Sequence, residues 1–199
     1  ELFGIEEEVE GEKVDMTTEE AQITNSTSVM LTTVAGDEYA IGYVSLGSLD
    51  DSVKALKIDG AEATAENVKS GTYKVSRPFN IATKEGADNE VANDFITFIM
   101  STEGQQVVEE NGYIPLDGTQ AYEGTAPSGK AVVGGSSSVS PVMEKLIEAY
   151  KEVNPNAEIE LQTTDSTTGM ESTINGSYDI GMASRELKDT ELSEGLTGQ

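Results

Sequence analysis

The stretch Gly134-Gly135-Ser136-Ser137-Ser138-Val139-Ser140-Pro141 decides how this chain folds. It joins a short apolar run, Ala131-Val132-Val133, to a segment with Val142, Leu146, Ile147, Tyr150 and Val153 on one helical face. The pattern reads as strand, loop, helix. Glycines let the backbone turn with positive φ, and Ser140 before Pro141 makes a good N-cap with a first-turn proline. A helix start preceded by small hydroxyl residues offers unpaired N–H groups, the positive end of the helix dipole and O–H donors. These make an anion seat without formal charge. Taken alone, a Gly-Gly-Ser-Ser-Ser run is more often a flexible linker. The flanking strand and helix favour binding here.

Downstream, Asn154-Pro155-Asn156 stops the helix, and Glu158-Ile159-Glu160-Leu161 alternates as a second strand running into Thr163-Thr164-Asp165-Ser166-Thr167-Thr168-Gly169. A short helix closes at Asn175-Gly176, and Tyr178–Ala183 is a third strand ending at Ser184-Arg185, before another helix-like stretch. Residues 130–190 therefore read β-α-β-α-β, which favours a parallel sheet. All three strand ends carry Ser/Thr-rich loops, and ligands of open α/β sheets gather at those carboxyl ends.

Upstream the reading is less regular. The acidic residues 1–22 are expected to form helix ends around a polar loop, and Asn25–Val34 a helix. Tyr39–Val44 and Val53–Ile58 read as strands, and Thr64–Val68 as a short capped helix ending at Gly71. Tyr73–Thr83 is expected to be extended, interrupted at Pro78, at an edge or crossing between lobes. Val91, Phe95, Ile96 and Ile99 mark a helix over 88–100, and a second runs to Asn111, where Gly112 stops it. Residues 116–129, rich in Gly, Thr, Ser and Pro, read as a linker.

The 199 residues include 37 acidic against 12 basic side chains, a formal charge of −25. Such a surface repels nucleic acid and anionic membranes. Histidine and cysteine are absent, which excludes Ser-His-Asp and Cys-His catalysis, thiolate or imidazole zinc sites and disulfides. A hydrolase using serine with Lys130 or a carboxylate pair finds no base placed to support it. The chain is expected not to be an enzyme and to hold no metal or cofactor. No run approaches the roughly 20 apolar residues of a membrane helix. The start at Glu1-Leu2-Phe3, without an initiating Met, reads as a piece of a longer exported precursor.

Several motifs together carry a family resemblance. Gly134–Val142 with its helix, Gln162–Gly169 and Asp179–Leu187 resemble the first lobe of the phosphate-binding proteins, the extracytoplasmic receptors of phosphate ABC importers. Ala40–Leu46, Gly71–Phe79, Phe95–Gly104 and Gly112–Leu116 resemble that family's C-terminal segments. Each motif is moderate alone; together they are specific. The order is inverted relative to the family, as in a circular permutation or in a cut across tandem modules, and the linker favours the second. The family's middle, with its hinge strand and second-lobe Gly-Ser-Gly-Thr loop, has no counterpart here.

The resemblance implies an α/β fold of the type II solute-binding class, a mostly parallel sheet flanked by helices with a partial second lobe. Residues 1–76 would be that partial lobe, 77–115 the return segment and helices of the first, 116–129 the linker, and 130–199 the β-α-β-α-β unit. It also implies an anion held by Ser137, Ser138, Val139, Ser166, Thr167, Ser184 and Arg185. Asp165, where related loops carry a small neutral residue, is either a proton acceptor for hydrogen phosphate or a solvated loop residue. The partners implied are inorganic phosphate and the ABC permease subunits, with no nucleic acid, at the bacterial cell envelope on a membrane-anchored protein. An incomplete sheet adds the expectation of a swapped or edge-paired homodimer. The alternatives are a receptor for another oxyanion and an interaction module that keeps the fold without ligand.

Overall fold

In the apolar run before the glycines Ala131 and Val133 are fully enclosed and Val132 is half-buried, and β4 (Gly129–Ser136) carries them through the middle of the protein. The structure, a computed structural model, describes residues 4–9 and 12–199. After β4 come α5 (Ser140–Val153), β5 (Ala157–Thr164), α6 (Ser166–Ile174), β6 (Ile180–Ala183), α7 (Asp189–Ser193) and β7 (Leu196–Gly198). Before it lie β1 (Glu6–Val9), β2 (Glu12–Asp15), α1 (Thr27–Ala35), α2 (Ala65–Lys69), β3 (Asn80–Lys84), α3 (Glu90–Ile99) and α4 (Thr102–Glu110).

The main sheet has the order β5-β4-β6-β3-β7. β4 is parallel to both β5 and β6, as the β-α-β-α-β reading requires. β3, however, runs antiparallel between β6 and β7. The sheet is thus mixed rather than mostly parallel, and the extended segment ending at Thr83 supplies an interior strand, not an edge. Alternation along β3 and β6 divides them between two cores. Ile81 and Met182 face the larger core with Phe95 and Phe98 of α3 and Met143, Leu146 and Tyr150 of α5. Ala82 and Ala183 face a smaller one with Met170 of α6 and Leu196 of β7. Helices therefore cover both faces.

Local chemistry explains most helix starts. Asn89 accepts the backbone N–H groups of Val91 and Ala92, Ser101 that of Gly104, and Thr64 that of Asn67. Helix α5 begins differently. Val139, already helical, is its cap and makes no side-chain cap bond. Ser140 is therefore the first helical residue rather than the N-cap, and its hydroxyl donates to the carbonyl of Ser136 at 3.3 Å.

The first 76 residues depart most from expectation. Their described acidic start forms an antiparallel hairpin of β1 and β2 instead of helix ends; residues 1–3, 10 and 11 of that expectation lie outside the described residues. Neither Tyr39–Val44 nor Val53–Ile58 is a strand, apart from an isolated bridge between Ile58 and Ala61. Strand propensity needs a neighbouring strand to satisfy the ladder, and Tyr39, Ile41 and Tyr43 instead stand 78–88 % exposed. This part meets the rest at several points, among them Gly47, against the carbonyl of Asn111 and the ring of Tyr113, where the Ser45 and Ser48 hydroxyls also bond the Tyr113 hydroxyl.

Residues 116–128 contain no regular element but are no free linker, and Gly129 already opens β4. Tyr122 packs edge-on against Phe98, and its hydroxyl donates to Asp94 at 2.6 Å. Asp94, on the buried face of α3, also accepts from the Tyr150 hydroxyl at 2.6 Å and from Thr125 N–H at 2.7 Å. A buried carboxylate with that many donors stitches the segment down.

Candidate functional site

The carboxyl ends of β4, β5 and β6 lie side by side because these strands pair in parallel register, with Ser136 opposite Thr164 and Gly135 opposite Met182. The three turns after them therefore share one rim. From β4 comes the turn Ser137-Ser138-Val139, with Val139 buried and both serines half-buried. From β5 comes Asp165 with the start of α6 at Ser166 and Thr167. From β6 come Ser184 and Arg185.

Glycine permits the close approach that this needs. Gly135 has φ 137°, and a Cβ there would stand 2.3 Å from the carbonyl oxygen of Met182. A Cβ at Gly169 would meet Gly135 Cα at 2.6 Å, so α6 sits directly on the sheet and its N-terminus is aimed at the rim.

A chain of hydroxyl contacts links the three turns. Ser136 Oγ donates to Ser184 Oγ at 3.1 Å, and the backbone N–H of Ser184 donates to Ser166 Oγ at 3.1 Å. Thr163 Oγ1 donates to Ser140 Oγ at 2.9 Å, tying β5 to the start of α5. The N-termini of α5 and α6 and the hydroxyls around them create positive potential without a charged group. Ser137, Ser138, Val139, Ser166, Thr167, Ser184 and Arg185 are thus brought to one place.

Asp165 is the N-cap of α6. Its carboxylate accepts Thr168 N–H at 2.9 Å and the Thr168 hydroxyl at 2.7 Å. These bonds, led by that hydroxyl, hold its pKa below the ordinary aspartate value. Asp165→Ala should remove the cap and lower stability by about 1 kcal/mol in urea unfolding. The capping contribution should fade as pH drops through the lowered pKa, since the folded state then takes up the proton that breaks the cap.

Arg185 is engaged by Glu191, to which Nη2 and Nη1 donate at 2.7 and 2.9 Å. Glu191 is nearly buried on α7. Lys130 sits elsewhere, on the outer part of the sheet beside Glu158 and Glu160. Arg77 is exposed. Among the described residues, no group of acidic side chains is arranged to hold a metal ion.

Sequence reasoning overlooked Ser136, Thr163, Thr27 and Glu191. Ser136 was legible inside the glycine-serine run, but the run was read as a loop when its first three residues finish the strand. Thr163 follows from strand alternation once β5 is extended by two residues. Thr27 starts α1 and donates to the carbonyl of Ser137 at 3.3 Å, a contact across 110 residues that no local signal reveals.

The comparisons with known proteins agree with this geometry. Residues 120–199 match the model of a PBP superfamily domain. The chain is 61% identical over 197 residues to phosphate-binding protein PstS 2 of Streptococcus agalactiae, covering 98% of this chain and 67% of that one. It is 45% identical over 192 residues to PstS 2 of Streptococcus pneumoniae, covering 96% of this chain and 66% of that one. The chain thus spans about two thirds of the length of these relatives. A crystal structure of a phosphate ABC transporter phosphate-binding protein from S. pneumoniae superposes with a TM-score of 0.77 at 44% identity, covering all of this chain and 77% of that one. With the three hydroxyl-bearing turns on one rim, this similarity over nearly its whole length shows that the chain belongs to the PstS-like phosphate-binding proteins, a non-enzymatic solute-binding family of ABC phosphate transporters.

Proposed function

We propose that this chain binds inorganic phosphate outside the cytoplasm for delivery to an ABC permease, with the rim of β4, β5 and β6 as the first-lobe half of the site. One observation carries the reading: Ser136, Ser184 and Ser166, from three separate strand ends, are linked in series by hydrogen bonds. A dehydrated oxyanion needs many donors in place of its water. N–H and O–H groups of Ser137, Ser138, Val139, Ser166, Thr167 and Ser184 supply them, while distant acidic side chains are screened beyond about 8–10 Å. The cap bonds of Asp165 leave it as a support of α6 in this reading, not the acceptor of a ligand proton.

In this reading residues 77–115 and 130–199 make one lobe, a division supported by β3 completing the sheet built by the later strands, and residues 1–76 belong to the other. Both portions match within a single relative of S. agalactiae, which supports a permuted order over a cut across tandem modules. The edge strand β5 points Glu158 and Glu160 outward and β7 has three residues, features that discourage edge-to-edge pairing. The chain works as one copy in this reading. Among the described residues no helix is long and apolar enough to cross a membrane, so attachment to the cell envelope would come from outside the folded lobe.

Titration calorimetry with phosphate and with sulfate tests the proposal, on this chain and on the longest natural protein that contains it. Phosphate should bind, and Ser138→Ala with Ser166→Ala should weaken it about a hundredfold, two hydrogen bonds to a charged group. Binding that ignores both substitutions would rule out this rim.

A further inference from the structure

Arg185 follows β6, and its guanidinium is already engaged within the chain. Nη1 donates to Glu191 Oε2 at 2.9 Å and to the carbonyl of Glu186 at 3.0 Å. Nη2 donates to Glu191 Oε1 at 2.7 Å and to Thr167 Oγ1 at 3.4 Å. A guanidinium has five N–H donors, and four of them sit on these terminal nitrogens. All four therefore have acceptors inside the protein. The side chains of Arg185 and Glu191 are only 16% and 9% exposed, so little water competes for the pair. Glu191 Oε2 also accepts the backbone N–H of Lys188 at 2.8 Å, which fixes the carboxylate to the start of α7.

We infer that Arg185 and Glu191 form a charge-neutral brace that positions Thr167 and Ser184 for the oxyanion, with Arg185 acting through them and not ligating the anion itself. The inference rests on the phosphate-site reading above. A bidentate grip by Arg185 on an anion would have to break its fork from Glu191 and leave a nearly buried carboxylate unpaired, which is strongly unfavourable. Keeping the fork intact costs nothing and ties three pieces together: the start of α6 through Thr167, the turn after β6, and α7. The net charge of the brace is zero, so the pull on the ligand comes from the neutral donors of the rim.

The two roles separate in a calorimetric comparison of phosphate binding by Arg185→Met, Glu191→Gln and the double variant Arg185→Met/Glu191→Met, at low and at near-physiological salt. Replacing both charges by apolar groups removes the burial problem that either single change creates, and circular dichroism checks that each protein is folded. For a brace, each single variant weakens phosphate by about tenfold, the double is no weaker than the worse single, and the salt dependence of binding stays as in the parent. For a ligand, Arg185→Met abolishes binding and flattens its salt dependence, while Glu191→Gln tightens it by freeing a cation; that result overturns the inference. Unchanged affinity with a lowered melting temperature also overturns it, leaving the pair purely structural. A Ser166→Ala control that binds like the parent would instead overturn the site reading and, with it, the brace.

Discussion

Gly135→Val is expected to cost about 3 kcal/mol or more in urea unfolding and to abolish any phosphate binding at the rim. Two independent effects add. The backbone at φ 137° is a conformation that β-branched residues avoid. The new Cβ would also stand 2.3 Å from Met182 O and 3.0 Å from Met182 N, and both are backbone atoms of the neighbouring strand that cannot swing aside. Separating β4 from β6 would pull the Ser137–Val139 turn away from Ser184, so fold and site fail together. Gly176→Ala is the control: its φ is +81°, but a Cβ there meets nothing within 4 Å. It should cost only about 1–2 kcal/mol, from backbone strain alone. Equal stability of the two variants would show that the close approach of the strands does not matter.

Asp94→Ala should lower stability by about 3 kcal/mol or more, because the buried Tyr150 hydroxyl, the half-buried Tyr122 hydroxyl and the Thr125 N–H would lose their acceptor together. Burial pushes the Asp94 carboxyl up, but the Tyr122 and Tyr150 hydroxyls and the Thr125 and Ala126 N–H groups outweigh it, so its pKa lies below the ordinary aspartate value. The sign follows. A folded pKa below the unfolded one, about 3.9, contributes stability that is complete above the unfolded pKa and disappears as pH falls through the folded one. At the alkaline end, burial and the Asp94 carboxylate raise Tyr150 to about 12 and Tyr122 further still. Their contribution is complete below the unfolded tyrosine pKa, about 10, and is lost as pH rises through the folded values. The stability gap between the parent and Asp94→Asn should therefore be widest near neutrality and narrow toward both extremes. A gap independent of pH would refute the stitch.

From α3 onward most of the fold was legible because its signals are local. Alternation marks β5, apolar spacing marks α3 and α5, and the glycines and asparagines that stop helices stand where the helices end. The convergence of the three hydroxyl turns was legible for the same reason: parallel connections force them to one rim. What escaped depends on distant partners. Tyr39, Ile41 and Tyr43 have strand chemistry but no neighbouring strand, so they remain extended chain. The antiparallel β3 is chosen by the strands it meets, a hundred residues downstream. Tyr122 looked like one aromatic in a polar linker; only the place of Asp94 on the inner face of α3 makes it an anchor. Glu191 was one acid among many in an acidic chain, and its importance lies in being nearly buried against Arg185.

Strand β3 has further meaning for how the protein is made. It is translated before both of its sheet neighbours, β6 and β7, which lie far downstream in the sequence. Until they appear, β3 has no strand on either side, and the nascent segment must wait with its backbone N–H and C=O groups unpaired. Assembly of this sheet therefore waits until β6 and β7 have both been translated, however early the strand between them is made.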